Sequence, residues 1–226
     1  MLRWLARPVD EVWRGAVADT FESHPVTAQR LQFHGAVWDV RSDEVTIGDH
    51  VVTRDLVVHP GAVGIIALDN QDRVLLIRQY RHPVAAFLFE PPAGLLDTHK
   101  ETAWECARRE LAEEAGLRAG SWHVLIDFLN SPGGTSETLR CFLARDLDLL
   151  PEGREHTGEA EEVHLPQAWV PLEEAVGLVL AGTIQNPTAT NGILAAAAHQ
   201  GRDWRDLRPA DSPWPVRNWV ESLGNV

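Results

Sequence analysis

Lysine is nearly missing from this chain: of its 20 basic residues only Lys100 is a lysine, and the rest are arginine. That leaves no Gly-Lys-Ser/Thr phosphate loop, and Schiff-base chemistry would fall to Lys100 alone. Cysteine is scarce too. Cys106 sits in a helical pattern and Cys141 in a strand pattern, which argues against a disulfide framework and for two reduced core residues. Apolar runs such as "VGIIAL" and "VLLI" fall far short of the roughly 18 to 20 residues of a bilayer span. The opening "MLRWLARPVDEVWRG" has no apolar signal core, so the chain reads as soluble and cytoplasmic. Its histidines include no i, i+4 pair to suggest zinc. There is no Gly-x-Ser-x-Gly elbow, and neither cysteine has an adjacent histidine, so serine and thiol nucleophiles are not suggested.

What is present is acid. The chain has 226 residues, 44% of them hydrophobic, enough for one sizeable core or one core with a small accessory domain. Its 33 acidic residues give a net charge of -13, which speaks against a nucleic-acid backbone as partner. An acidic protein still handles phosphates where metal ions mediate.

Residues 1–32 carry little pattern. From residue 34, "HGAVWDVRSDEVTIGDHVVTRDLVVH" alternates apolar and polar residues around a turn at Gly48-Asp49, the pattern of a meander of half-buried strands. Two more strands flank a turn at Asp69–Asp72, and "FLFEPPAG" is a short strand ended by its prolines. A helix follows. Thr98 with Glu101 and Thr102 with Glu105 each offer a capping box, Thr102 being preferred. Ala103, Ala107, Leu111 and Ala115 form a narrow apolar stripe, and Gly116 is the left-handed stop. Strands follow at "WHVLIDFL", "ETLRCFLARDL" and "AWVPL", with helices at "LEEAVGLVLAG" and "TATNGILAAAAHQ" and a Trp- and Pro-rich tail on the surface. Strands, one central helix, more strands and then helices point to an α+β or mixed α/β sandwich.

The helix gathers Glu110, Glu113 and Glu114, with Arg109 placed i, i+4 to pair with Glu113. Three clustered carboxylates repel unless cations join them, and magnesium or manganese takes oxygen ligands from carboxylates, water and phosphates. The pattern is Gly94, six residues, Glu101, seven residues, then Arg109-Glu110-Leu111-Ala112-Glu113-Glu114-Ala115-Gly116-Leu117. It resembles the signature box of the Nudix hydrolases, which cleave nucleoside diphosphates linked to a second moiety. One departure exists: the family places five residues between the first glycine and the first glutamate. The extra loop residue leaves the position of the Ala93 carbonyl for the structure to fix.

The resemblance implies a Nudix fold, a mixed-sheet α/β/α sandwich, preceded by an antiparallel β subdomain. It divides the chain into residues 1–57, an extension and dimerisation subdomain; 58–205, the hydrolase domain; and 206–226, a tail. Pro132 stands where the ADP-ribose pyrophosphatase branch carries a proline, whereas Gly134 lacks the tyrosine of the diadenosine polyphosphate branch. "DSPWPV" echoes a motif of the NADH branch but lies far too late in the chain. The branch resemblance, closest to actinobacterial members, implies cleavage of ADP-ribose to AMP and ribose 5-phosphate with Mg2+ or Mn2+. It implies a homodimer whose N-terminal strands reach across to the partner; the charge balance and the short apolar runs speak against nucleic-acid and membrane partners. Glu110, Glu113, Glu114 and the carbonyl of Ala93 are the implied metal ligands, Arg54, Arg81 and Pro132 the substrate contacts, and Arg109 and Glu113 catalytic. The implied general base is a glutamate of the loop "GREHTGEAEEVHLPQAW", Glu161 first and Glu162 second. Two alternatives remain: hydrolysis of another nucleoside-diphosphate sugar, and a non-catalytic module that binds ADP-ribose.

Overall fold

Every residue of β4 (Ala62–Ala67) is buried, the mark of a strand covered on both faces. The structure, a computed structural model, describes residues 13, 15–96, 101–151, 153–154 and 165–224. In it β4 runs parallel to β9 (Thr138–Leu149) and antiparallel to β7 (Ala93–Leu95). With β8 (Leu117–Leu129) and the short β11 (Arg208–Pro209) they form a five-stranded mixed sheet in the order β11-β8-β9-β4-β7. Alternate residues of β4 face opposite cores. Val63, Ile65 and Ala67 join Cys106, Ala107, Leu111 and Ala115 of α1 (Ala103–Ala115). Ala62 and Ile66 join Leu172 and Ala175 of α2 (Leu172–Leu180) and Ala189, Ile193 and Ala196 of α3 (Pro187–Gln200). Full burial of a side chain such as Ile65 or Ile66 stabilises the fold by about 1.5–3 kcal/mol.

β5 (Arg73–Arg81), β6 (Ala86–Glu90) and β10 (Gln167–Pro171) form a second, antiparallel sheet. The turn at Asp69–Asp72 therefore carries the chain from one sheet to the other; next to it an isolated bridge joins Leu68 and Val74, and β4 and β5 otherwise meet through their side chains in the core. A third sheet, an antiparallel meander, precedes both: β1 (Val26–His34), β2 (Asp39–Ile47) and β3 (His50–Val58). Gly48, with φ 57°, makes the turn expected at Gly48-Asp49.

The meander starts earlier than its sequence pattern suggests. β1 is exposed along nearly all of its length, so it has no buried face to impose an alternation of two. The tail is ordered and mostly exposed, as its sequence suggests, with Trp214 and Val220 buried. It forms α4 (Pro215–Ser222), and Trp214, at the start of that helix, is 6% exposed. Arg140 holds the tail there, donating to the carbonyls of Ser212 (2.7 Å) and Pro213 (3.0 Å) with its guanidinium 4.7 Å from the Trp214 ring centre. Among the described residues no helix is long and apolar enough to cross a membrane.

Candidate active site

The acid-rich helix is fixed at both ends. The Thr102 hydroxyl accepts from the backbone N–H of Glu105 (3.2 Å), and the Glu105 carboxylate accepts from the N–H of Thr102 (2.7 Å), the preferred one of the two capping boxes. The competing Thr98 lies outside the described residues. At the far end Gly116 adopts φ 66° and donates to the carbonyl of Ala112. The Gln167 amide then donates to the carbonyls of Glu114 and Ala115, which no longer have helical partners.

Between these ends the buried face of α1 carries two acids, Glu110 (8% exposed) and Glu114 (5%). β7 runs directly over them. A Cβ on Gly94 would fall 2.1 Å from Glu110 Oε1, so only glycine admits that carboxylate beneath the strand. One residue earlier, the N–H of Ala93 donates to Glu114 Oε2 at 2.9 Å. The longer loop before the helix has thus left Ala93 and Gly94 against the acids of the box.

Arg109 gathers the remaining carboxylates. Its guanidinium donates to Glu101 (2.7 and 3.2 Å), to Glu110 Oε1 (2.7 Å) and to Glu113 Oε2 (2.9 Å). The hydrogen bonds with Glu101 hold that carboxyl below its usual range and push the arginine above its own. Burial, reinforced by the Glu110 charge, pushes the neighbouring Cys106 thiol up to about 12, which keeps it protonated and unreactive.

Among the described residues no three His, Cys, Asp or Glu side chains are arranged to hold a metal ion. Arg109 Nη1 donates to both Glu110 and Glu113, while Glu114 accepts from the Ala93 N–H. The donor set is nevertheless wholly oxygen, two of its carboxylates being buried, and that chemistry fits a hard divalent cation able to compete with the guanidinium.

A second polar group lies across the β6–β7 connection. Arg81 at the end of β5 donates to Glu90, which is only 2% exposed, through contacts of 2.6, 2.9 and 3.1 Å. Arg81 also lies close enough to Glu137 to act on its carboxyl, which burial pushes above the usual range against the opposing effects of Asn130 and Arg81. Asn130 donates to Glu137 at 2.7 Å, and His59 Nε2 stands 3.9 Å from it. The His59 ring stacks on Trp38, centres 5.3 Å apart. The sequence reading missed Glu90, Glu137 and His59; the one available signal was a lone acid between "FLF" and "PP".

The other sequence candidates are spread out. Pro132 occupies an exposed turn, which is docked on β3 by hydrogen bonds of Val57 with Gly134 and Ser136. Arg54 is exposed on β3 and donates to the carbonyl of Thr53. Glu161 and Glu162 lie outside the described residues.

Comparison with known proteins adds to this geometry. The family model described as NUDIX domain matches residues 58–190. The chain is 39% identical over 181 residues to an ADP-ribose pyrophosphatase of Mycobacterium tuberculosis, covering 80% of this chain and 86% of that one. It is 35% identical over 153 residues to an ADP-ribose pyrophosphatase of Bacillus subtilis, covering 67% and 80%. A crystal structure of an ADP compounds hydrolase superposes with a TM-score of 0.64 at 21% identity, over 92% of this chain and all of the other, which supports the fold.

Proposed function

The chain belongs to the Nudix family, and from that premise we propose that it hydrolyses the diphosphate of ADP-ribose to AMP and ribose 5-phosphate with the help of Mg2+ or Mn2+. The observation that carries the reading is the acid cluster of the motif: Arg109 joins Glu101, Glu110 and Glu113, Glu110 lies against Gly94 and Glu114 against Ala93, with a second arginine, Arg81, held beyond the same turn. Glu110, Glu113 and Glu114, with the carbonyl of Ala93, would hold the metal. Once bound, it offsets phosphate charge and makes a bound water more acidic.

The chain's own groups do the rest. Arg81 and Arg54 bind the diphosphate, and Pro132 shapes the loop beside it. Arg109 keeps Glu113 oriented. Glu161, or Glu162 next to it, takes the proton from the attacking water. On this reading residues 1–57 form an N-terminal extension and dimerisation subdomain, 58–205 the hydrolase domain and 206–226 a C-terminal tail. The protein works as a cytoplasmic homodimer in which Arg54 serves the partner's site. The apolar side chains exposed on the meander, Leu31 (61%) and Phe33 (62%) among them, support that assembly, and two free buried cysteines are in keeping with a reducing compartment.

The test is parallel incubation with ADP-ribose, GDP-mannose, NADH and diadenosine tetraphosphate, with magnesium or with EDTA, products being separated by chromatography. Metal-dependent AMP release chiefly from ADP-ribose is expected. Faster turnover of another substrate would shift the reading to a different nucleoside-diphosphate sugar. Binding of ADP-ribose without any turnover would replace the enzyme with a sensor.

A further inference from the structure

Glu90 ends a short strand, and its carboxylate, at 2% exposure, has given up almost all of its water. A buried carboxylate persists only with a cation and hydrogen bonds to replace hydration. Arg81 supplies both. It stands opposite Ala86 in the β5–β6 hairpin and reaches back to Glu90, placing Nε and Nη2 on the carboxylate. Such a pair adds little net stability compared with apolar side chains of the same volume, and what it does fix is the place of the guanidinium. Arg81 remains 43% exposed at its side chain while Glu90 is enclosed, so the acid anchors and the arginine presents.

The connection to the metal-binding acids is short and stiff. Glu90 is followed by Pro91 and Pro92, whose rings fix φ. Next comes Ala93, whose N–H grips Glu114. β7 then pairs with β4, and the Pro92 carbonyl accepts from the N–H of Ile65 at 2.8 Å. Arg81, through Glu90, and Glu114, through Ala93, are therefore tied to opposite ends of one four-residue bridge.

We propose that Glu90 is a positioning residue for the cleavage reaction: it locks Arg81 at a set distance from the Glu110–Glu114 carboxylates so that both meet one diphosphate. This rests on the reading of the chain as a diphosphate hydrolase. Glu90 touches neither substrate nor metal and acts only through Arg81.

The experiment is a double-mutant cycle on kcat/KM for ADP-ribose with magnesium, using wild type, Glu90→Gln, Arg81→Ala and the pair, plus Glu90→Asp, all checked for folding by circular dichroism. Glu90→Gln is expected to lower kcat/KM by about tenfold to a hundredfold, since misplacing a binding group by an ångström is enough for that. The double variant should be no worse than Arg81→Ala alone, and Glu90→Asp should recover part of the loss. A merely structural role would instead add the Glu90→Gln loss to that of Arg81→Ala, and such additivity would overturn the proposal. So would a Glu90→Gln enzyme within twofold of wild type. If wild type itself releases no AMP, the hydrolase reading falls and takes this inference with it; an active wild type beside an unaffected Glu90→Gln removes this inference alone.

Discussion

Glu101 and Arg109 are joined by two hydrogen bonds, 2.7 Å from Nη2 to Oε1 and 3.2 Å from Nε to Oε2. The first acid of the motif is thereby committed to an arginine, and that arginine holds Glu110 and Glu113 with its remaining nitrogen. Glu101 shapes the site at one remove.

Arg109→Lys tests that arrangement. A planar fork reaches three carboxylates at once, whereas an ammonium is a single point of charge on a flexible stem. The lysine variant should lose about tenfold or more in kcat/KM through misplacement of Glu110 and Glu113. Glu101→Gln should cost roughly 1–2 kcal/mol in stability, the value of hydrogen bonds between charged groups reduced for an arginine partly open to water. Urea unfolding and steady-state kinetics would check the two effects separately. A fully active lysine variant would show that the fork is dispensable.

The loop acids give a second prediction. Glu161→Gln removes the group placed first as general base and should lower kcat by about a hundredfold or more with little change in KM. Glu162→Gln should stay near wild type. The reverse outcome would transfer the role to Glu162, and two unaffected variants would place the base elsewhere.

Much of this site was legible because its signals are local. The capping box at Thr102, the stop at Gly116 and the spacing of Arg109 and Glu113 all lie within one helix, where a periodicity fixes neighbours. Glu90 and Arg81 are nine residues apart on two strands, and only the hairpin register and the length of the arginine bring them together. Glu137 and His59 are farther apart still, joined by the fold alone. The same reason explains the divergence of β4 and β5 into different sheets. A turn at Asp69–Asp72 specifies a reversal, while the choice of sheet depends on what covers each strand.

Dimerisation supplies a third prediction. Leu31 and Phe33 project from β1 at 61% and 62% exposure, more apolar surface than an isolated strand needs to leave in water. Wild type should sediment as a dimer, and Leu31→Asp combined with Phe33→Asp should sediment as a monomer with reduced turnover. Arg54→Ala should remain dimeric yet lose affinity for ADP-ribose. A fully active wild-type monomer would remove both the assembly and the role of Arg54 in a partner's site.

His59 gives the protein a specific response to acid. Its Nδ1 accepts the N–H of Gly61 at 2.9 Å, so the neutral ring carries its proton on Nε2, toward Glu137. Burial first, and the Arg217 charge second, lower its pKa from 6.5 to about 4. Between those values the unfolded chain binds a proton that the folded chain does not, so stability falls as pH falls through the window. The shift corresponds to about 3 kcal/mol at one unit per 1.36 kcal/mol. Glu137 acts in the opposite sense, because its raised pKa makes the folded state take up a proton more readily as acid is added. Comparing wild type with His59→Gln isolates the histidine. Urea midpoints at pH 7 and pH 4.5 should show wild type losing about 2–3 kcal/mol more than the glutamine variant. Equal losses in the two proteins would mean that His59 takes up its proton in the folded state as easily as in the unfolded chain.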